Sequence, residues 1–510
     1  MTIACRALLG RAATGPPGLG FARRAHSRLP LLALGTALLV SGCGHDANRQ
    51  RDLQLAECRL PNLANSAQCG ELEVPEDRGK PQGRKIKIFV AVLPANTLTP
   101  KPDPFVILAG GPGQGASHLG PFAARLTELR RTRDVVLIDQ RGTGRSSPLV
   151  CAAFKDLEDE VLDTDPVPRA EACARELQKR GIDPAQYTTT SFIADLEAMR
   201  DALGYAQMNL WGGSYGSRVA QEYLRRFPDR VRTVVLDGVA PPAMTILLDV
   251  WRTRAAALAT VWQACAQAAE CRKAHPDPAA TLTKIGQSLA NKSRDVDLID
   301  PRTGQRKTIP VTFDAVLSAL QPLTYVPELS VLLPELLERA AHEDYGPLFA
   351  TIQSVTANLA EQMNAALHYS VTCAEDVPRI SPDAQARGLA DLPARAIAQK
   401  IINVCSVWPR GKMPADFGDP VGSDKPVLVL SGGTDPVTPP AYGAEVAKSF
   451  PNSRHIVAPG YGHIVSPHVC GPRLIAAFVE AAGFAQLPQT CIRYFESSVP
   501  PPPWPNRLAP

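Results

Sequence analysis

The chain has 510 residues with 54 basic and 50 acidic side chains, and it is long enough for one large domain that carries an insertion. Residues 1–42 hold five arginines and no acidic residue, so the remainder carries 49 basic against 50 acidic side chains. This balance leaves no basic stripe along the remainder and excludes nucleic acid as a partner.

An apolar run from Leu29 to Val40 follows several arginines near the N-terminus. The run is shorter than the ~20 residues that a membrane-spanning helix needs, and it suits the apolar part of an export signal. It ends in Leu-Val-Ser-Gly-Cys at residues 39–43, which resembles the signal of bacterial lipoproteins. The resemblance implies that residues 1–42 are a signal peptide and that a lipid on Cys43 anchors the exported protein in a membrane, facing the periplasm or the cell surface. An ordinary signal peptide with an incidental cysteine is the alternative.

Short apolar runs rich in Val, Ile and Leu predict the strands of a parallel sheet that is buried on both faces. Helical segments such as Phe192 to Leu203 lie between these runs, and the alternation predicts the α/β class, with a mostly parallel sheet flanked by helices. The predicted strands are Lys85 to Val92, Phe105 to Leu108, Val135 to Ile138, Asn209 to Trp211, Val231 to Leu236, Val427 to Leu430 and His455 to Val457.

A glycine-rich loop, Ala109 to Gly115, follows the second predicted strand. Such a loop lets backbone N–H groups point at a developing oxyanion, and the N–H of Gly111 is a predicted donor. A phosphate-binding loop is excluded because no Lys-Ser or Lys-Thr pair follows the glycines. The segment Asp139 to Ser146, which begins Asp-Gln-Arg-Gly, is interpreted as a structural turn beside this loop, with a catalytic part as the alternative.

Ser214 stands in Gly-Gly-Ser-Tyr-Gly at residues 212–216, between a short apolar strand and a helix predicted from Ser217 to Phe227. This G-x-S-x-G pattern is typical of a nucleophile elbow, a sharp strand-to-helix turn that lifts the serine hydroxyl clear of the sheet. The helix N-terminus behind the serine favours the negative charge that develops there. The N–H of Tyr215 is the second predicted oxyanion donor.

Asp435 and His463 complete a candidate triad with Ser214. Asp435 follows the strand Val427 to Leu430, and His463 ends the sequence Gly-Tyr-Gly-His after the last predicted strand. Ser, then Asp, then His is the chain order of α/β-hydrolases, so the α/β-hydrolase fold is the predicted fold class. His463 is predicted to take the proton of Ser214, and Asp435 to orient the imidazole. Asp237, at the end of an earlier strand, is the alternative acid.

The pattern changes between Val239 and about Pro420, where long Ala-rich helical stretches appear and no strand is predicted. We interpret this segment as a helical cap that is inserted into the core, covers the site and lies between Pro-rich boundaries. The predicted domains are a signal peptide at 1–42, the first part of the core at 43–240, the cap at 241–420, the second part of the core at 421–496 and a Pro-rich tail at 497–510.

Ten cysteines remain besides Cys5 and Cys43, and an even number in an exported chain indicates disulfides. The sequence leaves their connectivity open, and pairing of sequential neighbours is favoured because each such pair flanks a loop. No metal site is predicted, since no C-x-x-C pair or Cys/His cluster occurs. The ten are Cys58, Cys69, Cys151, Cys173, Cys265, Cys271, Cys373, Cys405, Cys470 and Cys491.

These motifs in combination resemble the prolyl iminopeptidase and tripeptidyl aminopeptidase family of serine peptidases, over roughly residues 58–495. The resemblance lies in the loop at 109–113, the segment at 139–146 and the elbow at 212–216. Cys-Ala-Glu-Asp at 373–376, Asp-Pro-Val-Thr-Pro at 435–439 and Gly-Tyr-Gly-His at 460–463 are similar to the branch with a tripeptidyl-aminopeptidase-like C-terminal region. Ala109 departs from the pattern, because many relatives carry His there. The resemblance implies a cofactor-free peptidase that removes residues from the N-termini of short peptides.

Three functional classes stay open on the sequence: an aminopeptidase-type peptidase, a carboxylesterase or lipase with the same triad, and a cell-surface binding lipoprotein. The complete triad and the oxyanion loop favour the two enzymes. An aminopeptidase needs an anion for the substrate ammonium, and Glu375 in the predicted cap is the candidate. An exposed or ion-paired carboxylate at Glu375 is the alternative.

Overall fold

A mixed sheet forms the centre of the fold, in a computed structural model that describes residues 53–154, 165–290, 292–299, 304–390 and 395–503. The strands are β1 Ala56–Cys58, β2 Ala67–Pro75, β3 Lys85–Leu93, β4 Phe105–Leu108, β5 Val135–Ile138, β6 Met208–Gly213, β7 Val231–Asp237, β8 Arg294–Ile299, β9 Arg306–Val311, β10 Val427–Gly432 and β11 Ser453–Ala458. Within the described residues, nine of them form one sheet in the order β1-β2-β3-β5-β4-β6-β7-β10-β11. The pairs from β1 to β5 are antiparallel, and those from β5 to β11 are parallel.

Helices connect the strands and also build most of the segment between β7 and β10. They are α1 Gly120–Arg125, α2 Val167–Lys179, α3 Thr189–Ala202, α4 Tyr215–Arg226, α5 Ile246–Gln267, α6 Ala269–Ala274, α7 Pro278–Ser288, α8 Phe313–Thr324, α9 Pro327–Ser330, α10 Leu333–Ala341, α11 Gly346–Gln362, α12 Ala365–Glu375, α13 Pro382–Ala390, α14 Arg395–Val407, α15 Pro440–Ala447, α16 Gly471–Ala481 and α17 Gln489–Glu496. Parallel strands that alternate with helices confirm the predicted α/β class.

The central strands are buried on both faces, as their continuous apolar sequences predict. Val106 of β4 packs into one apolar cluster, while its neighbours Phe105 and Ile107 pack into a second one. Consecutive side chains of a strand point to opposite faces, so the two clusters lie on the two sides of the sheet. The first contains residues of α2, α3, α4, α12 and α14, and the second contains residues of α1, α16 and α17.

The prediction that no strand occurs in the inserted segment was wrong. Strands β8 and β9 pair as an antiparallel hairpin between α7 and α8. Val296 and Leu298 of β8 and Ile309 of β9 contact the apolar cluster of α7, α8, α10 and α11, whereas the intervening side chains are mostly exposed. Each strand is short and rich in charged residues, so its alternation of polar and apolar side chains is easily mistaken for a polar loop between helices.

The N-terminal strands β1 and β2 were also missed. They extend the sheet by antiparallel pairing beyond β3, where one side of each strand meets solvent. Their sequences therefore alternate between polar and apolar residues and lack the continuous apolar runs that mark the central strands.

Two sets of sequence predictions lie outside the described residues: the signal peptide with Cys43, and residues 504–510 of the Pro-rich tail. Among the helices that are described, none combines the length and the apolar character that crossing a membrane requires.

Disulfides join the ten cysteines to their sequential neighbours within the described residues, which is the pairing favoured above. The bonds are Cys58–Cys69, Cys151–Cys173, Cys265–Cys271, Cys373–Cys405 and Cys470–Cys491. The Cys373–Cys405 bond has the largest sequence separation, 32 residues, and it fastens α12 to α14. A larger closed loop restricts the unfolded chain more strongly, so this bond is expected to stabilise the fold most.

Replacing Cys373 and Cys405 together by serine is expected to lower the free energy of unfolding by about 2–5 kcal/mol. The matched control replaces Cys265 and Cys271, whose separation is only 6 residues, and it should lower that free energy less because a shorter loop is released. Urea unfolding of both double variants measures the difference. Equal losses would contradict the loop-length argument.

Candidate active site

Ser214 occupies the sharp turn between β6 and α4. Its backbone has φ 57° and ψ −126°, a conformation that L-residues rarely adopt. Small residues on both sides are a steric requirement of this turn. A Cβ at Gly216 would lie 2.1 Å from the carbonyl oxygen of Leu108, and a Cβ at Gly212 would lie 2.2 Å from that of Gly216. The G-x-S-x-G sequence therefore produces the elbow that it predicts.

Hydrogen bonds on both sides hold the strained serine in place. The N–H of Ser214 donates to the carbonyl oxygen of Asp237 at 2.9 Å, and the carbonyl oxygen of Ser214 accepts from the N–H of Ser217 at 2.8 Å. A backbone in such a conformation costs about 1–3 kcal/mol and persists only where its surroundings fix it. The strand β7 and the first turn of α4 supply that support here.

His463 and Asp435 meet at the carboxyl ends of neighbouring strands. His463 Nδ1 lies 2.8 Å from Asp435 Oδ2, so Nδ1 carries the proton and donates it to the carboxylate. Asp435 also accepts from the N–H groups of Val437 and Thr438 at 2.8 and 2.9 Å, and from the Thr438 hydroxyl at 2.7 Å. This tautomer leaves Nε2 of His463 as the proton acceptor.

Charge and burial act against each other in this pair. Burial alone would lower the pKa of His463, but the adjacent Asp435 carboxylate raises it above the usual histidine value. Burial alone would raise the pKa of Asp435, but His463 and the backbone donors hold it below the usual aspartate value. Asp435 therefore stays ionised and stabilises the imidazolium that forms when His463 accepts a proton.

Asp237, the alternative acid, contacts the loop after the histidine. Its carboxylate is fully buried and accepts from the N–H groups of Val465 at 2.9 Å and Ser466 at 2.7 Å. Burial raises its pKa above the usual aspartate range. The geometry therefore favours Asp435 as the partner of His463 and makes Asp237 an anchor of the histidine loop.

Close backbone contacts bring the serine, the histidine and the oxyanion loop together. A Cβ on Gly110 would lie 3.1 Å from Cβ of Ser214, and a Cβ on Gly238 would lie 3.1 Å from Cε1 of His463. Gly238 directly follows Asp237, whose carbonyl oxygen accepts from Ser214. The three parts thus converge at the carboxyl end of the parallel strands, where side chains of different strands can act on one substrate.

The oxyanion loop runs beside the serine. Gly111 has φ +110°, a left-handed backbone that favours glycine, and Gly110 contacts Ser214. Tyr215 is the first residue of α4, so no carbonyl within that helix accepts from its N–H. Gly111 and Tyr215 are the predicted oxyanion donors: Gly111 follows Gly110, whose backbone lies close to Ser214, and Tyr215 follows Ser214 itself.

The Asp-Gln-Arg-Gly segment has structural contacts, in line with its interpretation as a turn. The buried Asp139 accepts from the N–H and hydroxyl of Ser117, at 2.7 and 2.9 Å, and from the N–H of Arg145. Ser117 belongs to the short turn after the oxyanion loop. Arg141 is fully buried and donates to both carboxylate oxygens of Asp195 on α3 at 2.7 Å. The segment therefore locks the oxyanion loop and α3 to the sheet.

The inserted segment reaches the site through Tyr325, which sequence reasoning missed. Its carbonyl oxygen accepts from the N–H of His463 at 3.0 Å, and its ring lies edge-on to the imidazole with a centroid distance of 5.2 Å. A Cβ at Gly462 would lie 2.2 Å from the same carbonyl oxygen, so glycine is needed there. Nothing local marks Tyr325, because the contact joins residues that are far apart in the sequence.

Glu375, the candidate anchor for a substrate ammonium, lies at the C-terminal end of α12 and has no exposed surface. Its two carboxylate oxygens accept from the N–H of Thr189 at 2.6 Å and from the Thr189 hydroxyl at 2.8 Å. Burial raises the pKa of Glu375 to about 7, against the lowering effect of nearby Arg218. In this structure the buried carboxylate faces Thr189 of α3.

Comparison with known proteins agrees with this arrangement. A family model described as the alpha/beta hydrolase fold matches residues 103–467, which is more than half of the chain. The protein therefore belongs to the alpha/beta hydrolase fold family, as its chain order of Ser, Asp and His predicts.

Curated relatives match in part. The tripeptidyl aminopeptidase of Streptomyces lividans is 31% identical over 202 residues, which cover 36% of this chain and 37% of that protein. The serine protease Hip1 of Mycobacterium tuberculosis is 29% identical over 234 residues, covering 42% and 44%. The proline iminopeptidase of Neisseria meningitidis is 31% identical over 153 residues, covering 29% and 36%. The chain thus spans less than half the length of these relatives.

Among solved structures, the proline iminopeptidase of Mycobacterium smegmatis matches with a TM-score of 0.40 at 15% identity. The match covers 81% of this chain and 98% of that chain.

The pH dependence of hydrolysis is expected to report the pair of His463 and Asp435. The rate constant kcat/KM should rise as His463 loses its proton, with a midpoint above the usual histidine pKa of about 6.5. Asp435→Asn should lower kcat by on the order of 10⁴-fold, because the wrong tautomer is then favoured. It should also move the midpoint to lower pH, because burial then acts without the carboxylate.

Asp237→Asn is the matched control. It removes one acceptor from the histidine loop, so it should reduce activity less than Asp435→Asn and leave the midpoint nearer to that of the wild type. Rates measured across pH on one chromogenic substrate compare the two variants. A larger loss in Asp237→Asn, with Asp435→Asn near normal, would assign the acid to Asp237.

Proposed function

We propose that the protein is a serine hydrolase that removes residues from the N-termini of short peptides through an acyl-enzyme on Ser214. The observation that carries this proposal is the 2.8 Å contact between His463 Nδ1 and Asp435 Oδ2 beside the strained elbow of Ser214. That arrangement combines an oriented base with a nucleophile held at a helix N-terminus.

Each step has a residue to perform it. As Ser214 Oγ attacks the substrate carbonyl carbon, Nε2 of His463 takes the hydroxyl proton, and the oxygen that gains negative charge faces the N–H groups of Gly111 and Tyr215. The imidazolium then gives the proton to the leaving amine, the C–N bond breaks, and the acyl group stays on Ser214. Water then attacks the acyl carbon as it loses a proton to the same imidazole, the bond between that carbon and Ser214 Oγ breaks, Ser214 regains its proton, and the acyl group leaves as a carboxylic acid.

The choice of peptides over esters is supported by the relatives, which are named tripeptidyl aminopeptidase, serine protease and proline iminopeptidase. The triad serves either substrate class, because both reactions pass through the same acyl-enzyme. A carboxylesterase is therefore the alternative that an experiment must separate.

A panel of chromogenic substrates tests the proposal: free-amino peptides, the same peptides with an acetylated N-terminus, and short acyl esters. Free-amino peptides are expected to be cleaved and acetylated ones to be cleaved much more slowly. Ser214→Ala should lose hydrolysis by on the order of 10⁴-fold or more and should lose labelling by a fluorophosphonate. Equal rates on free and blocked peptides would remove the aminopeptidase, and activity on esters alone would favour the carboxylesterase. Labelling that survives in Ser214→Ala would overturn the nucleophile.

We further propose that the protein is exported and held at a membrane by a lipid on Cys43. The apolar run before that cysteine supports export, and so does the presence of five disulfides in the described residues, because such bonds form in oxidising compartments. A short peptide outside the cytoplasm would then be the substrate.

Cys43→Ala is expected to move the protein from the membrane fraction to the soluble fraction, because the lipid then has no attachment point. Cys5→Ala is the matched control, since Cys5 also lies in the predicted signal peptide and should leave the distribution unchanged. Immunoblots of separated membranes give the measurement. Membrane retention of Cys43→Ala would contradict the lipid anchor.

A further inference from the structure

Helix α12 is linked to both halves of the predicted oxyanion hole, to the glycine-rich loop through the residues at its start and to Tyr215 through Thr189 at its end. It belongs to the segment inserted between β7 and β10, yet residues such as Leu367 and Val371 pack into the apolar cluster of the main sheet. Most of the rest of that segment has its own apolar cluster, formed by α7, α8, α10, α11 and the β8–β9 hairpin. Together with α14, the helix is thus set apart from most of the insertion by where it packs.

At its N-terminal end the helix holds the glycine-rich loop. The N–H of Asn364 donates to the carbonyl oxygen of Gly113 at 3.0 Å, and Gln114 and Met363 form an isolated antiparallel bridge. The Asn364 side chain caps the helix by accepting from the N–H of Leu367 at 2.8 Å. Its amide also donates to the carbonyl oxygen of Leu149 at 3.1 Å. The loop that carries Gly111 is therefore fixed from the side of the insertion.

At its C-terminal end the helix holds the side chain of Tyr215. Glu375 accepts the hydroxyl proton of Thr189, and Thr189 Oγ1 lies 2.6 Å from the hydroxyl of Tyr215. When the Glu375 carboxylate is ionised it accepts the single hydroxyl proton of Thr189, and Tyr215 then donates to Thr189. Gln140 donates to the Tyr215 hydroxyl at 3.1 Å. A continuous series of hydrogen bonds therefore runs from Gln140 through Tyr215 and Thr189 to Glu375.

The four hydrogen-bonded side chains are each at most 5% exposed: Gln140, Tyr215, Thr189 and Glu375. Buried hydrogen bonds are costly to leave unmade, so this buried network restricts the positions of its four side chains. A second link acts at the same end, where Asp376 pairs with Arg218 of α4 at 3.0 Å and both side chains are fully buried. Tyr215 and Arg218 lie on the first turn of the helix that begins behind Ser214.

From this geometry we propose that α12 braces the oxyanion hole from both ends, and that Glu375 and Thr189 are positioning residues for Tyr215. The proposal rests on Ser214 being the nucleophile. Glu375 acts through Thr189 on the tyrosine whose N–H faces the oxyanion. The Glu375 carboxylate has no exposed surface and both of its oxygens already accept from Thr189, so a role in holding Tyr215 fits its contacts better than a role in binding substrate.

Thr189→Val is the test, because valine keeps the shape of threonine and removes the hydroxyl. We expect kcat to fall ~10–100-fold, since a misplaced oxyanion donor weakens transition-state binding. KM should change little, and peptides and acyl esters should lose by the same factor because both pass through the oxyanion hole. Thr189→Ser should restore kcat. Thr190→Val, at the next and partly exposed position of α3, is the matched control and should behave like the wild type.

Active-site titration with a fluorophosphonate separates slow enzyme from unfolded enzyme. Thr189→Val should label to full stoichiometry but slowly, whereas Ser214→Ala should not label, so a failure of the nucleophile assignment is recognised independently. If Thr189→Val does not fold, Glu375→Gln takes its place, since it keeps one acceptor for Thr189 and loses the other.

Asn364→Ala tests the N-terminal end of α12 and should also lower kcat for both substrate classes.

A wild-type kcat in Thr189→Val, or in Glu375→Gln when it is used instead, would overturn the brace. So would a loss confined to free-amino peptides with a raised KM, because that pattern would assign Glu375 to the substrate ammonium. A uniform loss in kcat that Thr189→Ser reverses would support it.

Discussion

The carboxylate and the carbonyl of Asp237 hold two parts of the site that have to stay in register. The carbonyl oxygen accepts from the N–H of Ser214, and the carboxylate accepts from the loop after His463. One residue at the end of β7 therefore links the nucleophile turn on one neighbouring strand to the histidine loop that follows β11. The strained backbone of Ser214 persists only with such support. Because Asp237 also holds the loop after His463, the position of Ser214 relative to His463 depends on this buried residue.

The sequence predicted those parts of the site whose geometry depends on residues that are close together in the chain. The elbow, the tip of β10 and the histidine after β11 follow from strand periodicity and from glycines that a close backbone approach requires, so Ser214, Asp435 and His463 could be proposed without a structure. The surroundings of Glu375 could not be, because its partner Thr189 is 186 residues away. The sequence analysis did not predict the hairpin of β8 and β9, for a different reason. In short strands with charged outer faces, the alternating pattern has too few apolar positions to be recognised.

The inserted segment has two physical roles, which follow from its two packing environments. One part has its own apolar cluster and meets the site at Tyr325, against the imidazole of His463. The other part, α12 and α14, packs with the main sheet and is joined by the Cys373–Cys405 bond. Replacing Tyr325 is expected to alter the surroundings of His463, whereas changes in α12 and α14 are expected to disturb the apolar core of the main sheet.

This division limits how the active site can vary within such a fold. A cap that only covers a site can change its side chains freely, since each change affects binding alone. Here the helix that ends at Glu375 also touches the loop of Gly111 and, through Thr189, the side chain of Tyr215. Under the proposed brace, transition-state stabilisation therefore depends on a helix of the inserted segment. Because buried hydrogen-bond networks lose more than pairwise energies when one member changes, specificity is more readily altered around Tyr325 than along α12.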